Sequence, residues 1–148
     1  MKILLVEDNP ELSRRLMEGL QAEGFAVEHA ADGGMGFDLG RTEDFDAVIL
    51  DLGLPDMQGV EVLKRWRKAG REMPVLILTA RGSWTEKVEG LNAGADDYIS
   101  KPSHVQEIVA RLRQRREEPA DLLVMDVDGT TLVRRNGDVR ARTGSPRQ

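Results

Sequence analysis

Short, continuous apolar blocks recur along the chain, and the stretches between them carry apolar residues at helical spacing. Ile3, Leu4, Leu5 and Val6 form the first block, which predicts a buried strand. Pro10 then stands at a helix start, and Leu12, Leu16, Met17 and Leu20 follow at helical intervals until Gly24 ends the pattern. Residues 26–30 predict a second, weaker strand, and the Gly-rich segment 32–41 predicts a helix. Ala47, Val48, Ile49 and Leu50 form another apolar block that stops at Asp51. Val60, Val62, Leu63 and Trp66 predict a third helix, closed by Gly70. The block 75–78 is the clearest strand; a helix over 85–93, a short strand at Tyr98 and Ile99, and a helix over 105–114 complete the series.

Five strands therefore alternate with five helices. Strands that are apolar throughout, rather than at every second position, are covered on both faces, as in a parallel sheet. The alternation predicts a doubly wound α/β domain with right-handed crossovers. Such sheets bind ligands at the carboxyl ends of their strands.

Composition narrows the options. A chain of 148 residues has room for one compact domain and an appendage. Its 21 Lys and Arg against 26 Asp and Glu leave a net charge of -5, the wrong sign for binding nucleic acid through the overall field. The absence of cysteine excludes disulfides, thiolate catalysis and Cys-based zinc sites. The amino-terminal apolar run is too short for a signal peptide or a membrane span, so a cytoplasmic location without membrane contact is expected.

The predicted strand ends carry a specific chemistry. The first strand ends in Glu7 and Asp8, the third in Asp51, the fourth in Thr79, and the fifth just before Lys101. One acid after a strand is usually a loop residue or a helix cap. Suitable residues at the same end of four strands outweigh that reading. Crowded carboxylates repel unless a cation joins them, and hard oxygen ligands suit Mg²⁺. A Lys and a Thr hydroxyl beside them can hold a phosphoryl group. The set fits an aspartate nucleophile acting on phosphorus with metal assistance.

Four segments then resemble the response-regulator receiver domains of two-component signal transduction: Val6-Glu7-Asp8-Asn9, Asp51-Leu52-Gly53-Leu54-Pro55-Asp56, Leu78-Thr79-Ala80, and the run from Gly94 to Pro102. The last most resembles the winged-helix (OmpR/PhoB-like) class of transcriptional regulators. The resemblance implies a flavodoxin-like receiver fold over residues 1–114. It implies a phosphoacceptor switch, rather than an enzyme, that assists its own phosphorylation and dephosphorylation. Asp51 would form the acyl phosphate after transfer from a sensor histidine kinase. Asp8, Asp51 and the Gly53 carbonyl would ligate Mg²⁺, with Glu7 acting through water. Lys101 would contact the phosphoryl group, a cis bond would precede Pro102, and Thr79 with Tyr98 would form the switch. A phosphorylation-dependent homodimer would use Lys87 with Glu107 and Asp97 with Arg111, although Glu107 and Arg111 could also pair along their own helix. Glu118 stands where one further family contact needs an Arg. Ser103 departs from the large apolar residue expected after Lys101-Pro102, and Trp84 has an unusual, exposed-looking setting. His29 and His104 lack any ligand or triad pattern and read as surface residues.

Beyond residue 114 the pattern changes. Residues 115–121 read as a charged linker ended by Pro119. Within 122–148, Asp128-Gly129 and Asn136-Gly137 separate strand-prone runs, which predicts a short three-stranded meander resembling the start of a winged-helix effector domain. No recognition helix follows, so DNA binding would need a complete effector domain. The run from Val124 to Leu132 also looks like the first motif of haloacid-dehalogenase-type phosphatases, with Asp126 as nucleophile. Eighteen residues after Thr130 are too few for the rest of that fold. The sequence therefore predicts a phosphoryl-accepting signalling switch; the rival is a receiver-like module that binds partners without phosphorylation.

Overall fold

The computed structural model describes residues 1–80, 84–101, 104–115, 122–125, 131–135 and 138–142. Pro102, Ser103, Glu118, Pro119, the Asp126 motif and the Asn136-Gly137 turn lie outside the described residues, as does the side chain of Trp84. The strands are β1 (Lys2–Val6), β2 (Ala26–Ala30), β3 (Ala47–Leu50), β4 (Val75–Thr79) and β5 (Asp97–Ser100). They alternate with α1 (Pro10–Ala22), α2 (Gly33–Thr42), α3 (Gly59–Lys68), α4 (Trp84–Asn92) and α5 (Val105–Arg115). All five strands are parallel, in the order β2-β1-β3-β4-β5. The order reverses around β1, so the loops after β1 and β3 meet at a topological switch point, where doubly wound sheets place their sites.

Successive strand residues face opposite sides, and both sides are apolar. Leu4, Val6, Val48, Leu50, Val75, Ile77 and Tyr98 point into one core with Val62, Leu63, Trp66 and Leu91 of α3 and α4. Ile3, Leu5, Ala47, Ile49, Leu76, Leu78 and Ile99 point into the other, with Leu16 and Leu20 of α1 and Ile108, Val109 and Leu112 of α5. Gly24 and Gly70, at φ 95° and 80°, end α1 and α3 in the left-handed region that favours glycine.

The Gly-rich α2 is a helix because its glycines let it sit close to its neighbours. A Cβ on Gly36 would stand 2.8 Å from the Val6 side chain, and one on Gly40 would stand 2.6 Å from the Trp66 ring. Trp66 also donates its Nε1–H to the carbonyl of Phe37 at 3.1 Å. Further along, β6 (Leu122–Met125), β7 (Thr131–Arg135) and β8 (Asp138–Arg142) form a separate antiparallel sheet in that order. No helix among the described residues is long and apolar enough to cross a membrane.

Candidate functional site

The site begins where β1 gives way to α1. Asn9 caps the helix, its Oδ1 accepting the Leu12 N–H at 3.0 Å, and Pro10 occupies the first turn. The Asn9 N–H donates to Glu7 Oε2 at 3.1 Å. The Glu7 carbonyl accepts from Ser13 Oγ at 3.1 Å and lies 2.8 Å from His29 Nε2. Glu7 is thus fixed through both main chain and side chain, and it is buried. His29 is half-buried against this turn, a correction to its reading as a surface residue. Its partner sits in the turn just after the neighbouring strand, which spacing along the sequence could not reveal. His104 is exposed, and its carbonyl accepts the Glu107 N–H at the start of α5.

Asp51 follows β3, and its N–H donates to the Val6 carbonyl at 3.0 Å, which sets it beside the end of β1. Its Oδ1 accepts the Gly53 N–H at 3.3 Å, and its Oδ2 lies 3.3 Å from Lys101 Nζ. Lys101 continues from β5, with its N–H donating to the Thr79 carbonyl at 2.9 Å. Its Nζ also pairs with Glu7 Oε1 at 2.7 Å. Carboxylate oxygens of Glu7, Asp8 and Asp51 all lie within 4.8 Å of one another, with Glu7 and Asp51 buried and Asp8 exposed. Four strand ends therefore converge, and among the described residues the three clustered acids have Lys101 as an ion-pair partner of two of them.

Burial pushes the Glu7 carboxyl above its ordinary range; the Lys101 and Asn9 hydrogen bonds oppose this, and the charge of Asp51 adds to it. Burial alone would lower the Lys101 ammonium, but its bond to Glu7 and the charges of Asp51 and Glu7 prevail and hold it above its ordinary value. The ammonium of Lys101 is thus favoured as a cation, while burial works against the charged form of Glu7. A pocket of this kind gains from one more positive charge.

The loop between β3 and α3 closes the site. Gly53 and Gln58 form an isolated antiparallel bridge, and the Gly59 N–H donates to the Leu52 carbonyl at 2.8 Å. A Cβ on Gly59 would come within 2.3 Å of the Asp51 carbonyl oxygen, so only glycine permits this closure. Asp56, at the tip, accepts the N–H groups of Gly33 and Gly34 with its two carboxylate oxygens, at 2.8 and 2.9 Å. Those two bonds hold the Asp56 carboxyl below its ordinary value.

Thr79 ends β4 and is buried; Tyr98 lies in β5 and is also buried, with Lys87 Nζ 5.6 Å from its ring centroid. Of the four residues expected at a dimer face, Asp97 is buried and accepts Arg111 Nη1 of its own chain at 2.8 Å with both oxygens. Lys87 is also buried, and Glu107 lies 4.0 Å from Arg111 along α5.

Residues 3–113 match the family model described as the response regulator receiver domain. The chain belongs to this family. The transcriptional regulatory protein QseB of Haemophilus influenzae is 47% identical over 113 residues, which are 76% of this chain and 51% of that protein. The virulence transcriptional regulatory protein PhoP of Salmonella typhimurium is 45% identical over 120 residues, covering 76% of this chain and 50% of that protein. The chain thus spans about half the length of the curated relatives it matches. Among solved structures, a CheY-like receiver domain from Methanospirillum hungatei superposes with a TM-score of 0.75 at 33% identity, covering 78% of this chain and 93% of that one. The receiver domain of sensor histidine kinase PA1611 from Pseudomonas aeruginosa, described with a magnesium ion in its active site cleft, gives 0.73 at 30% identity over 79% of this chain and 98% of that one. The receiver fold read from the sequence is the fold observed.

Proposed function

We propose that this receiver domain accepts a phosphoryl group on Asp51, from the phosphohistidine of a sensor kinase, and relays the change to a transcriptional output. The observation that carries the reading is the convergence of Glu7, Asp8 and Asp51 on Lys101, which lies within ion-pair reach of two of them. An Asp51 carboxylate oxygen forms the new bond to phosphorus while the bond to the donor imidazole nitrogen breaks. The electron pair stays on that nitrogen, which takes up a proton. Lys101 Nζ then exchanges a carboxylate partner for a phosphoryl oxygen. Water later cleaves the acyl phosphate, so the chain is a phosphoacceptor that assists its own labelling and its own decay.

Mg²⁺ would be held by Asp8, Asp51 and the Gly53 carbonyl, with Glu7 acting through water, and it supplies charge that neutralises the acids and the incoming phosphoryl oxygens. Thr79 and Tyr98 form the switch, the hydroxyl moving toward the phosphoryl group and the ring following inward. The output is a symmetric dimer through α4, β5 and α5, which makes each contact twice. Lys87 with Glu107 and Asp97 with Arg111 are its charged pairs; the second exists within one chain and would change partners across the interface. DNA is reached only through a complete effector domain of the kind such regulators carry.

Incubation with acetyl phosphate and intact-mass measurement tests the reading. A phosphoryl mass gain requires Mg²⁺ and disappears in Asp51→Asn. Equal labelling without metal, or unchanged labelling of Asp51→Asn, would contradict it; no mass gain in the parent chain with Mg²⁺ would favour a module that works without phosphorylation.

A further inference from the structure

We propose that Asp56 is a positioning residue for the metal site: by capping α2 from the tip of the β3–α3 loop, it holds the Gly53 carbonyl where a cation can use it. The inference rests on the magnesium site proposed above. The base of the loop is fixed by the bridge between Gly53 and Gln58 and by the Gly59 N–H on Leu52. Its tip is exposed and carries an acid, a setting in which a side chain ordinarily faces water. Asp56 instead gives each of its oxygens to one N–H of the first turn of α2. Helices leave such donors unpaired unless something caps them. Here Asp32 serves the Met35 N–H, and Asp56 serves the two before it.

The pair Gly33-Gly34 is the matching half. A Cβ on Gly33 would stand 2.4 Å from Met57 Cγ and 3.1 Å from Asp56 Oδ1, so a larger residue would displace the Met57 side chain and crowd the Asp56 carboxylate. The helix is itself a firm anchor, because Gly36 packs against Val6 and Gly40 against Trp66. Val6 ends β1 and directly precedes the acidic pair Glu7-Asp8. Asp56 therefore ties the loop that carries Gly53 to a helix seated on the strand that leads into Glu7 and Asp8. Partners one step removed from a metal commonly set its affinity by fixing the groups that touch it.

The test is a calorimetric Mg²⁺ titration of the full 148-residue chain and of three variants. Asp56→Ala weakens Mg²⁺ binding by about tenfold, and Asp56→Asn, which keeps one acceptor oxygen and the same shape, weakens it less. Asp32→Ala removes another cap from the same helix end and leaves Mg²⁺ affinity within about twofold of the parent. Amide hydrogen exchange at Gly33 and Gly34 accelerates in Asp56→Ala with or without metal. Parent-like Mg²⁺ binding by Asp56→Ala overturns the inference and leaves the proposed site standing. Equal weakening by Asp32→Ala also overturns it, since the cap would then be merely structural. Failure of the parent chain to bind Mg²⁺ overturns both.

Discussion

Lys101 has two carboxylate partners, 2.7 and 3.3 Å away, and a third acid stands beside them. The pocket thus keeps an excess of negative charge, which adds to the burial that already raises the Glu7 carboxyl and makes the cluster of acids costly to hold together. Removing one acid relieves more repulsion than it loses attraction, because Lys101 keeps its shorter bond to Glu7. Asp51→Asn is expected to raise the thermal midpoint in a chelator by about 2–5 °C. Added Mg²⁺ should stabilise the parent chain more than the variant. Thermal unfolding by circular dichroism checks both, and a lower midpoint for Asp51→Asn would mean that its pairing with Lys101 dominates. The residues at strand ends were legible in the sequence because a parallel sheet must bring those ends together. Asp56 and His29 were not, since their partners lie 23 and 22 positions away and are chosen by how the crossovers pack.

At the scale of elements, the apolar blocks gave away every strand of the parallel sheet but not the full extent of each. β1 starts one residue before its block, at Lys2. The Lys2 backbone N–H donates to Asp46 at 2.7 Å, and its ammonium lies 4.8 Å from the Phe45 ring centroid, so a charged residue joins the strand. Polar Thr79 extends β4 in the same way, as a strand residue that an apolar pattern cannot show. The order of the strands was likewise not contained in the pattern; it follows from packing. Helix α2 sets propensity against close packing. Gly40→Ala gains about 1 kcal/mol of helix propensity. Its new methyl would meet the Trp66 ring at 2.6 Å, inside a buried contact where overpacking costs about 1–3 kcal/mol. Denaturant unfolding should therefore show net destabilisation by Gly40→Ala, although alanine is the better helix former. A stabilised variant would show that α2 and α3 can separate freely.

For the whole molecule, the question is how a local charge change becomes an output. Glu107 is the most accessible of the four charged residues assigned to the dimer face, with its side chain 46% exposed. Lys87 is buried beside the Tyr98 ring, so its substitution would disturb the fold as well as any interface. Glu107→Lys is the cleaner probe. Beryllofluoride with Mg²⁺ should shift the parent chain toward dimer in sedimentation velocity, and Glu107→Lys should weaken that shift by several-fold, or about 1 kcal/mol. An unaltered shift in the variant would place the interface elsewhere. The receiver unit was legible because its four signature segments sit at strand ends; the intramolecular pairing of Asp97 with Arg111 was not, because it depends on where α5 lies against β5.

The chemical identity of the labelled residue tests the central claim most directly. After incubation with acetyl phosphate and Mg²⁺, borohydride reduction converts an aspartyl phosphate to homoserine, and peptide mass spectrometry locates the change. The account predicts homoserine at position 51 alone, only when Mg²⁺ was present. Homoserine at another acid of the pocket, or none under conditions where Mg²⁺ binds, would contradict it.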